Sequence, residues 1–214
     1  MPPIIISIEG IIGAGKSTFI ELIKTIPNMK IGLFHEPVDE WKDILPLFYN
    51  DPKRWSYTFQ MYAFYTKIKN SMEFDFSDYD VIITERSIYS DGIFMNMLYE
   101  SGNVSDIEME LYNKWWSLWK KDYKLNINAF IYLNVDISTA MQRVISRNRD
   151  GEDKITYNYQ EQLKVKHDSL FLHSTAFDKP VFVISSQENY KNDVNEQKKI
   201  IEQFECIFNA LKHN

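Results

Sequence analysis

Gly10, Gly15, Lys16 and Ser17 fall at the spacing G-x-x-x-x-G-K-S within the stretch GIIGAGKST. A loop of this kind holds the phosphates of a nucleoside triphosphate. Glycines let backbone N–H groups curl around phosphate oxygens, because a Cβ blocks the needed dihedrals and the close approach. Phosphate contacts are therefore expected along Gly10, Gly13, Ala14, Gly15, Lys16, Ser17 and Thr18. The lysine reaches the terminal phosphates, and the Ser17 hydroxyl suits a Mg²⁺ that bridges them. By average composition the pattern arises by accident in roughly one chain of this length in a hundred.

Two further sets of charged residues could act on a transferring phosphoryl group. Glu36 and the pair Glu85-Arg86 each follow a short apolar run. A carboxylate such as Glu36 can take the proton of a hydroxyl acceptor, and it would repel an acceptor that already carries a phosphate. That favours an alcohol. Arg143 and Arg147 are four residues apart, so they share a helix face, and Arg149 opens the charged loop RNRDGED just beyond. Three cations there suit the charge spread over the phosphoryl group and its donor. The D-x-x-G and N-K-x-D patterns that mark switch GTPases do not occur in the sequence.

These residues converge only if the elements between them alternate. The run Ile4 to Ile8 predicts a first strand, and FIELIKTI a helix whose N-terminus adds its dipole to the loop. Further strands are expected at Ile31 to Phe34, Val81 to Thr84, Ala129 to Val135 and Val181 to Ser185. A mixed helical stretch is expected from Trp41 to Tyr49, and helices from Asp51-Pro52 to Asn70, to about Glu100, and from Ser105 to Tyr123. Three more follow, from Ser138 to Arg147, Tyr157 to about Phe171, and Asn195 to Leu211. Strands alternating with helices imply a three-layer α/β sandwich, a five-stranded parallel sheet with helices on both faces. Ligands in such sheets sit beyond the carboxyl ends of the strands, where the glycine loop, Glu36 and Glu85-Arg86 all lie. No repeat or linker interrupts 1–214, so one domain is expected.

With 214 residues and a net charge of −6, the chain has no long basic run, which argues against a nucleic-acid polymer as main partner. The single Cys206 excludes an internal disulfide and lies in a helical pattern that predicts a small buried residue. The chain enters its first strand almost at once and has no apolar run of membrane-spanning length. The expectation is a cytoplasmic protein without leader or membrane anchor.

Five spaced motifs, GIIGAGKST, EPVDEW (from Glu36), PKRWSYTFQ (from Pro52), ERSIYSD (from Glu85) and RVISRNR (from Arg143), together resemble the cellular-type deoxynucleoside kinase family. That family includes deoxycytidine, deoxyguanosine and mitochondrial-type thymidine kinases. The similarity runs from the first strand to about Leu172 in the family order. It implies an Arg-rich lid at Arg143, Arg147 and Arg149, and a catalytic set of Lys16, Glu36, Arg86 and Arg147. Glu36 would take the 5′-hydroxyl proton and Arg86 would stabilise the transferring group. Glu85 would hold Mg²⁺ with Ser17. Tyr49 and Glu152 would bind the sugar 3′-hydroxyl, Gln60 would pair with the base edge, and Trp41 and Phe59 would sandwich the base. The resemblance also implies a homodimer, and it leaves Trp115, Trp116 and Trp119 to the core or to the dimer face.

Ala63, Lys67 and Asp91 stand where the family's deoxycytidine and deoxypurine enzymes carry a small residue, a base and an Asp. A carboxylate accepts from an exocyclic amine but meets a thymine carbonyl as acceptor against acceptor. Deoxycytidine and purine deoxynucleosides are thus expected ahead of thymidine, in nucleotide salvage with ATP or another NTP as donor. The competing reading of Lys67 and Asp91 is an ion pair that touches no ligand. Lys67 replaces the family's usual Arg, and the loop from Gln187 to Asn192 falls where the donor base would be contacted. A thymidine-preferring kinase, a nucleoside monophosphate kinase and an inactive nucleotide-binding subunit are the rivals.

Overall fold

The computed structural model describes residues 2–122, 126–174 and 178–213. Five strands, β1 (Ile4–Glu9), β2 (Ile31–Phe34), β3 (Val81–Glu85), β4 (Ala129–Asn134) and β5 (Val181–Ser185), form one all-parallel sheet in the order β2-β3-β1-β4-β5. The register sets Ile6 of β1 between Ile83 of β3 and Ala129 of β4. Every residue of β3 is buried, which is why its run VIIT shows no alternation. The edge strand β5 is more open, with Val183 exposed.

Helices α1 (Lys16–Ile23), α2 (Leu45–Asn50), α3 (Pro52–Glu73), α4 (Ile88–Glu100), α5 (Asp106–Asp122), α6 (Ile137–Arg147), α7 (Tyr157–Phe171) and α8 (Val194–Lys212) connect the strands. α1 packs with α8, while α4 packs with α3, α5 and α7. α3 starts where its sequence signal lies: the Asp51 side chain accepts from the Arg54 N–H at 3.2 Å, and Pro52 occupies the first turn. The sheet, α1, α7 and α8 enclose the main core, and a second apolar cluster joins α2, α3, α4 and α5.

The mixed helical stretch expected from Trp41 to Tyr49 resolves into a 3₁₀ turn over Val38–Trp41 and α2 from Leu45. Pro46 explains the break, since it fits a first helical turn but cannot continue a helix running in from Trp41. Cys206 is exposed rather than buried. α8 buries Ile200, Phe204, Ile207 and Phe208, and a residue two positions after Phe204 is turned about 200° away, toward solvent. Tyr123, the expected end of the Trp-rich helix, lies outside the described residues. In α5, Trp116 and Trp119 pack against Phe64, Ile68 and Ile88, whereas Trp115 is exposed. No described helix is long and apolar enough to cross a membrane.

Candidate active site

β1 ends at Glu9 and the chain turns at once through the glycine loop into α1. Gly13 and Gly15 have φ of +84° and +91°, in the left-handed region. A Cβ at Gly13 would fall 2.3 Å from the Ala140 carbonyl oxygen, and one at Gly15 2.6 Å from the Tyr190 hydroxyl. Gly15 also caps α1, so the loop presents its N–H groups together with the helix N-terminus. Lys16 Nζ folds onto the loop, donating to the carbonyls of Gly10 at 3.2 Å and Ile11 at 3.0 Å. Burial first, and then the Arg86 guanidinium, push Lys16 down to about 7.

The ends of β2 and β3 bring carboxylates to this loop. Ser17 Oγ donates to Glu85 Oε1 at 2.9 Å. Burial works to raise the Glu85 carboxyl, but His35, Lys16, Arg86 and Ser17 overcome it and hold the group down at about 2. Arg86 Nη1 donates to Glu36 Oε2 at 2.7 Å, and its Nη2 reaches the Gly10 carbonyl at 3.3 Å. Lys67 Nζ lies 2.6 Å from Asp91 Oδ1 and 3.7 Å from Glu36 Oε1. Burial opposes the Lys67 charge, yet Asp91 and Glu36 hold its pKa above the ordinary value. An alternating row of charges, Asp91, Lys67, Glu36 and Arg86, therefore runs from α4 to the glycine loop.

At the other side of the cleft, Arg147 grips Glu152 with two hydrogen bonds, Nε to Oε2 at 2.6 Å and Nη2 to Oε1 at 2.5 Å. Arg149 Nη1 stands 3.5 Å from the same carboxylate. Arg143 instead turns to the loop after β5, donating to the carbonyls of Gln187 at 3.2 Å and Glu188 at 3.1 Å. The three arginines expected to point one way are thus divided between two partners. Ser186 Oγ donates to the Ala14 carbonyl at 2.6 Å and the Tyr190 hydroxyl to the Gly15 carbonyl at 3.0 Å, so that loop also braces the glycine loop.

A cavity of about 780 Å³ opens between these groups. All the expected site residues line it except Gly10, Ala14 and Lys67, which stand behind its wall. Tyr49, Gln60 and Ala63 face it from α2 and α3, and Glu152 from a 3₁₀ turn after α6. Trp41 and Phe59 both line it, but they do not face each other across a gap. Their rings meet edge to face at 5.7 Å and 87°, with Trp41 Nε1 tied to Thr66 Oγ1 at 3.0 Å and Phe59 stacked on Phe48 at 4.8 Å. No base fits between rings in edge contact. Among the wall residues that the sequence reading did not single out, three aromatics stand out. Phe94 sits under the Arg86 guanidinium, 5.1 Å from its carbon. Tyr159, pushed up to about 12 by burial, flanks Tyr49. Tyr190 is the third. Only its place in the Gln187 to Asn192 loop carried a signal; single aromatics in helices α4 and α7 look like core.

The comparisons with known proteins agree with this geometry. A family model for deoxynucleoside kinase matches residues 6–209. A probable deoxycytidine kinase of fowlpox virus (strain NVSL) is 33% identical, over 92% of this chain and 84% of the viral protein. The deoxycytidine kinase of Homo sapiens is 30% identical, over 93% of this chain and 90% of its own length. A mitochondrial deoxyguanosine kinase of Xenopus laevis is 29% identical, over 88% and 83%. With a glycine loop, strand-end carboxylates and an arginine-rich helix end gathered around one cavity, and a family match across nearly the whole length, the chain belongs to the deoxynucleoside kinase family.

Proposed function

We propose that the chain is an ATP-dependent kinase that phosphorylates the 5′-hydroxyl of deoxynucleosides, with deoxycytidine and purine deoxynucleosides preferred. The observation that carries the reading is Glu36, held by Arg86 at 2.7 Å between the glycine loop and the pocket of α3 and α4. Glu36 accepts the 5′-hydroxyl proton as the oxygen attacks the γ-phosphorus, and the bond from that phosphorus to the bridging oxygen of the leaving diphosphate breaks. Lys16 and Arg86 meet the charge that develops on the phosphoryl oxygens, and Arg147 joins them once a ligand draws it from Glu152. The hard oxygens of Ser17 and Glu85, 2.9 Å apart, fit Mg²⁺. Held by these two residues, Mg²⁺ would supply neutralisation of the negative charge on the triphosphate. Tyr49 and Glu152 hold the sugar.

Base preference rests on Asp91. Its Oδ1 is taken by Lys67, while Oδ2 is closed off from solvent and has no partner among the described residues. Asp91 lines the cavity, so a small turn of its carboxylate presents this free acceptor to an exocyclic amine. Ala63 leaves room beside it, and Gln60 offers a donor and an acceptor to the base edge. Trp41 and Phe59 act as one packed wall along the base. The chain acts as one kinase domain in the cytoplasm and serves nucleotide salvage. It pairs as a homodimer, for which Ile107, Leu111, Trp115 and Leu118 supply an exposed apolar stripe at helical spacing on α5.

A transfer assay with ATP, Mg²⁺ and separate acceptors tests the reading. Phosphorylation of deoxycytidine and the deoxypurines ahead of thymidine is expected. Thymidine as best acceptor would keep the reaction and remove Asp91 as reader, and transfer to monophosphates alone would move the chain to another kinase class.

A further inference from the structure

Glu9, the last residue of β1, has no place in the mechanism above, yet its side chain is fully buried. Oε1 accepts from the Ser87 N–H at 2.9 Å and from Ser7 Oγ at 2.7 Å, and Oε2 accepts from Ser90 Oγ. Among the described residues no cation lies within ion-pair distance of it. A buried carboxylate without a counter-ion is costly, and hydrogen bonds to both oxygens are what keep it in place. Two of the three donors, the Ser87 N–H and the Ser90 hydroxyl, sit at the end of the short turn Glu85-Arg86-Ser87 and in the first turn of α4, and Arg86 within that turn has φ of +60°. A non-glycine residue holds that left-handed conformation only when its surroundings impose it. Two further ties help to impose it. The Arg86 N–H donates to the Ile8 carbonyl at 3.0 Å, and Thr84 Oγ1 donates to the Arg86 carbonyl at 2.9 Å.

We propose that Glu9 is a positioning residue for phosphoryl transfer, a carboxylate that bolts the Arg86-Ser87 turn to the root of the glycine loop. Ser87 opens α4, so the bond to its N–H fixes where α4 starts and, one residue back, where the Arg86 side chain leaves the backbone. From there the guanidinium reaches Glu36 and the carbonyl of Gly10, the residue next to Glu9. One buried group thus ties the phosphate seat to the arginine that acts on the phosphoryl group. Burial works against the Arg86 charge, and Glu36, Glu85 and Glu9 hold its pKa above the ordinary value. A glutamine at this position loses the charge and keeps an acceptor for the Ser87 N–H only by turning its N–H₂ to the Ser90 hydroxyl, which must then accept instead of donate, so one of the ties is reversed.

The inference rests on the kinase reading, and two readouts separate the two. In steady state, Glu9→Gln is expected to lower kcat about 10- to 100-fold, as small displacements of a catalytic group do, with both KM values within about threefold. In an Arg86→Ala background the same change should cost less than about twofold, because the effect passes through Arg86. A purely structural Glu9 would instead lower the melting temperature and leave kcat per folded site untouched, which overturns the proposal. NMR of the Arg86 guanidinium needs no turnover. Its Nε–H resonance should shift and broaden in Glu9→Gln relative to the unmutated protein, and an unchanged resonance also overturns the proposal. If Glu9→Gln fails to fold, Ser90→Ala decides. It removes only the donor to Oε2 and should lower kcat about 3- to 10-fold at constant KM; wild-type kcat and an unmoved resonance there reject the role.

Discussion

At the acceptor end of the cavity the charged side chains are buried and paired with each other, Lys67 with Asp91 and Arg86 with Glu36. At the glycine-loop end the fixed donors are backbone N–H groups and the buried Lys16, and the lid cations beyond them are half exposed. The Arg149 side chain is 42% exposed and that of Arg147 35%, against 2% for Lys67. The same charge types therefore do different work. Buried pairs keep one geometry because losing a partner strands a charge in the interior. Exposed arginines exchange partners at little cost, since solvent screens each pairing. On the proposed reading the acceptor end discriminates among bases, and the lid end lets go of Glu152 to take hold of phosphate.

Substitutions at the two ends should differ accordingly, and the largest effect belongs to the buried end. Glu36→Gln should reduce kcat about 10²- to 10⁴-fold with ATP affinity kept, read by steady-state kinetics and calorimetry. Near-normal turnover would remove Glu36 as the base. Exchanging Ala63, Lys67 and Asp91 together for apolar residues should move the ratio of kcat/KM toward thymidine about tenfold or more, because an unpaired buried acceptor costs about 1–3 kcal/mol. An unmoved ratio would make the Lys67–Asp91 pair structural.

His167 probes the buried region behind the acceptor end. Burial, and then Arg86, push it down to about 3. An unfolded chain takes up this proton near pH 6.5 and the native chain does not, so stability is lost as pH falls through that window. Between pH 7.5 and 5.5 this loss amounts to about 1.4 kcal/mol in all, and His167→Phe should remove that much of the difference between urea melts at the two pH values. Equal differences in both proteins would show the imidazole charging freely inside. The smallest effect is expected at the exposed end: Arg149→Ala should raise the KM for ATP no more than about fivefold and spare kcat, as exposed pairs are worth about 0.2–1 kcal/mol. A collapse of kcat would erase the contrast between the two ends.

Much of this site was readable in one dimension because its anchors are backbone features. A glycine at φ +91°, a proline in a first helical turn and carboxylates at strand ends follow from local chemistry and from the parallel sheet. What escaped depends on partners distant in sequence. The edge-to-face meeting of Trp41 and Phe59 is set by Thr66 and Phe48. The grip of Arg147 on Glu152 needs the turn at Gly151 to fold back under α6. Cys206 was misread because, in a helix as amphipathic as α8, two residues separate the buried face from water. Glu9 looked like one more residue before a glycine, and nothing short of the packed structure assembles its three donors.

The depressed pKa of Lys16 carries a consequence for how the enzyme loads its donor. At pH 8 a lysine held near 7 is mostly uncharged, and on the proposed reading an arriving triphosphate restores its ordinary preference for the ammonium form. Nucleotide binding is then a proton-consuming reaction whose observed heat depends on the ionisation enthalpy of the buffer. Its affinity falls by up to about tenfold for each pH unit above 7, until the liganded lysine itself titrates.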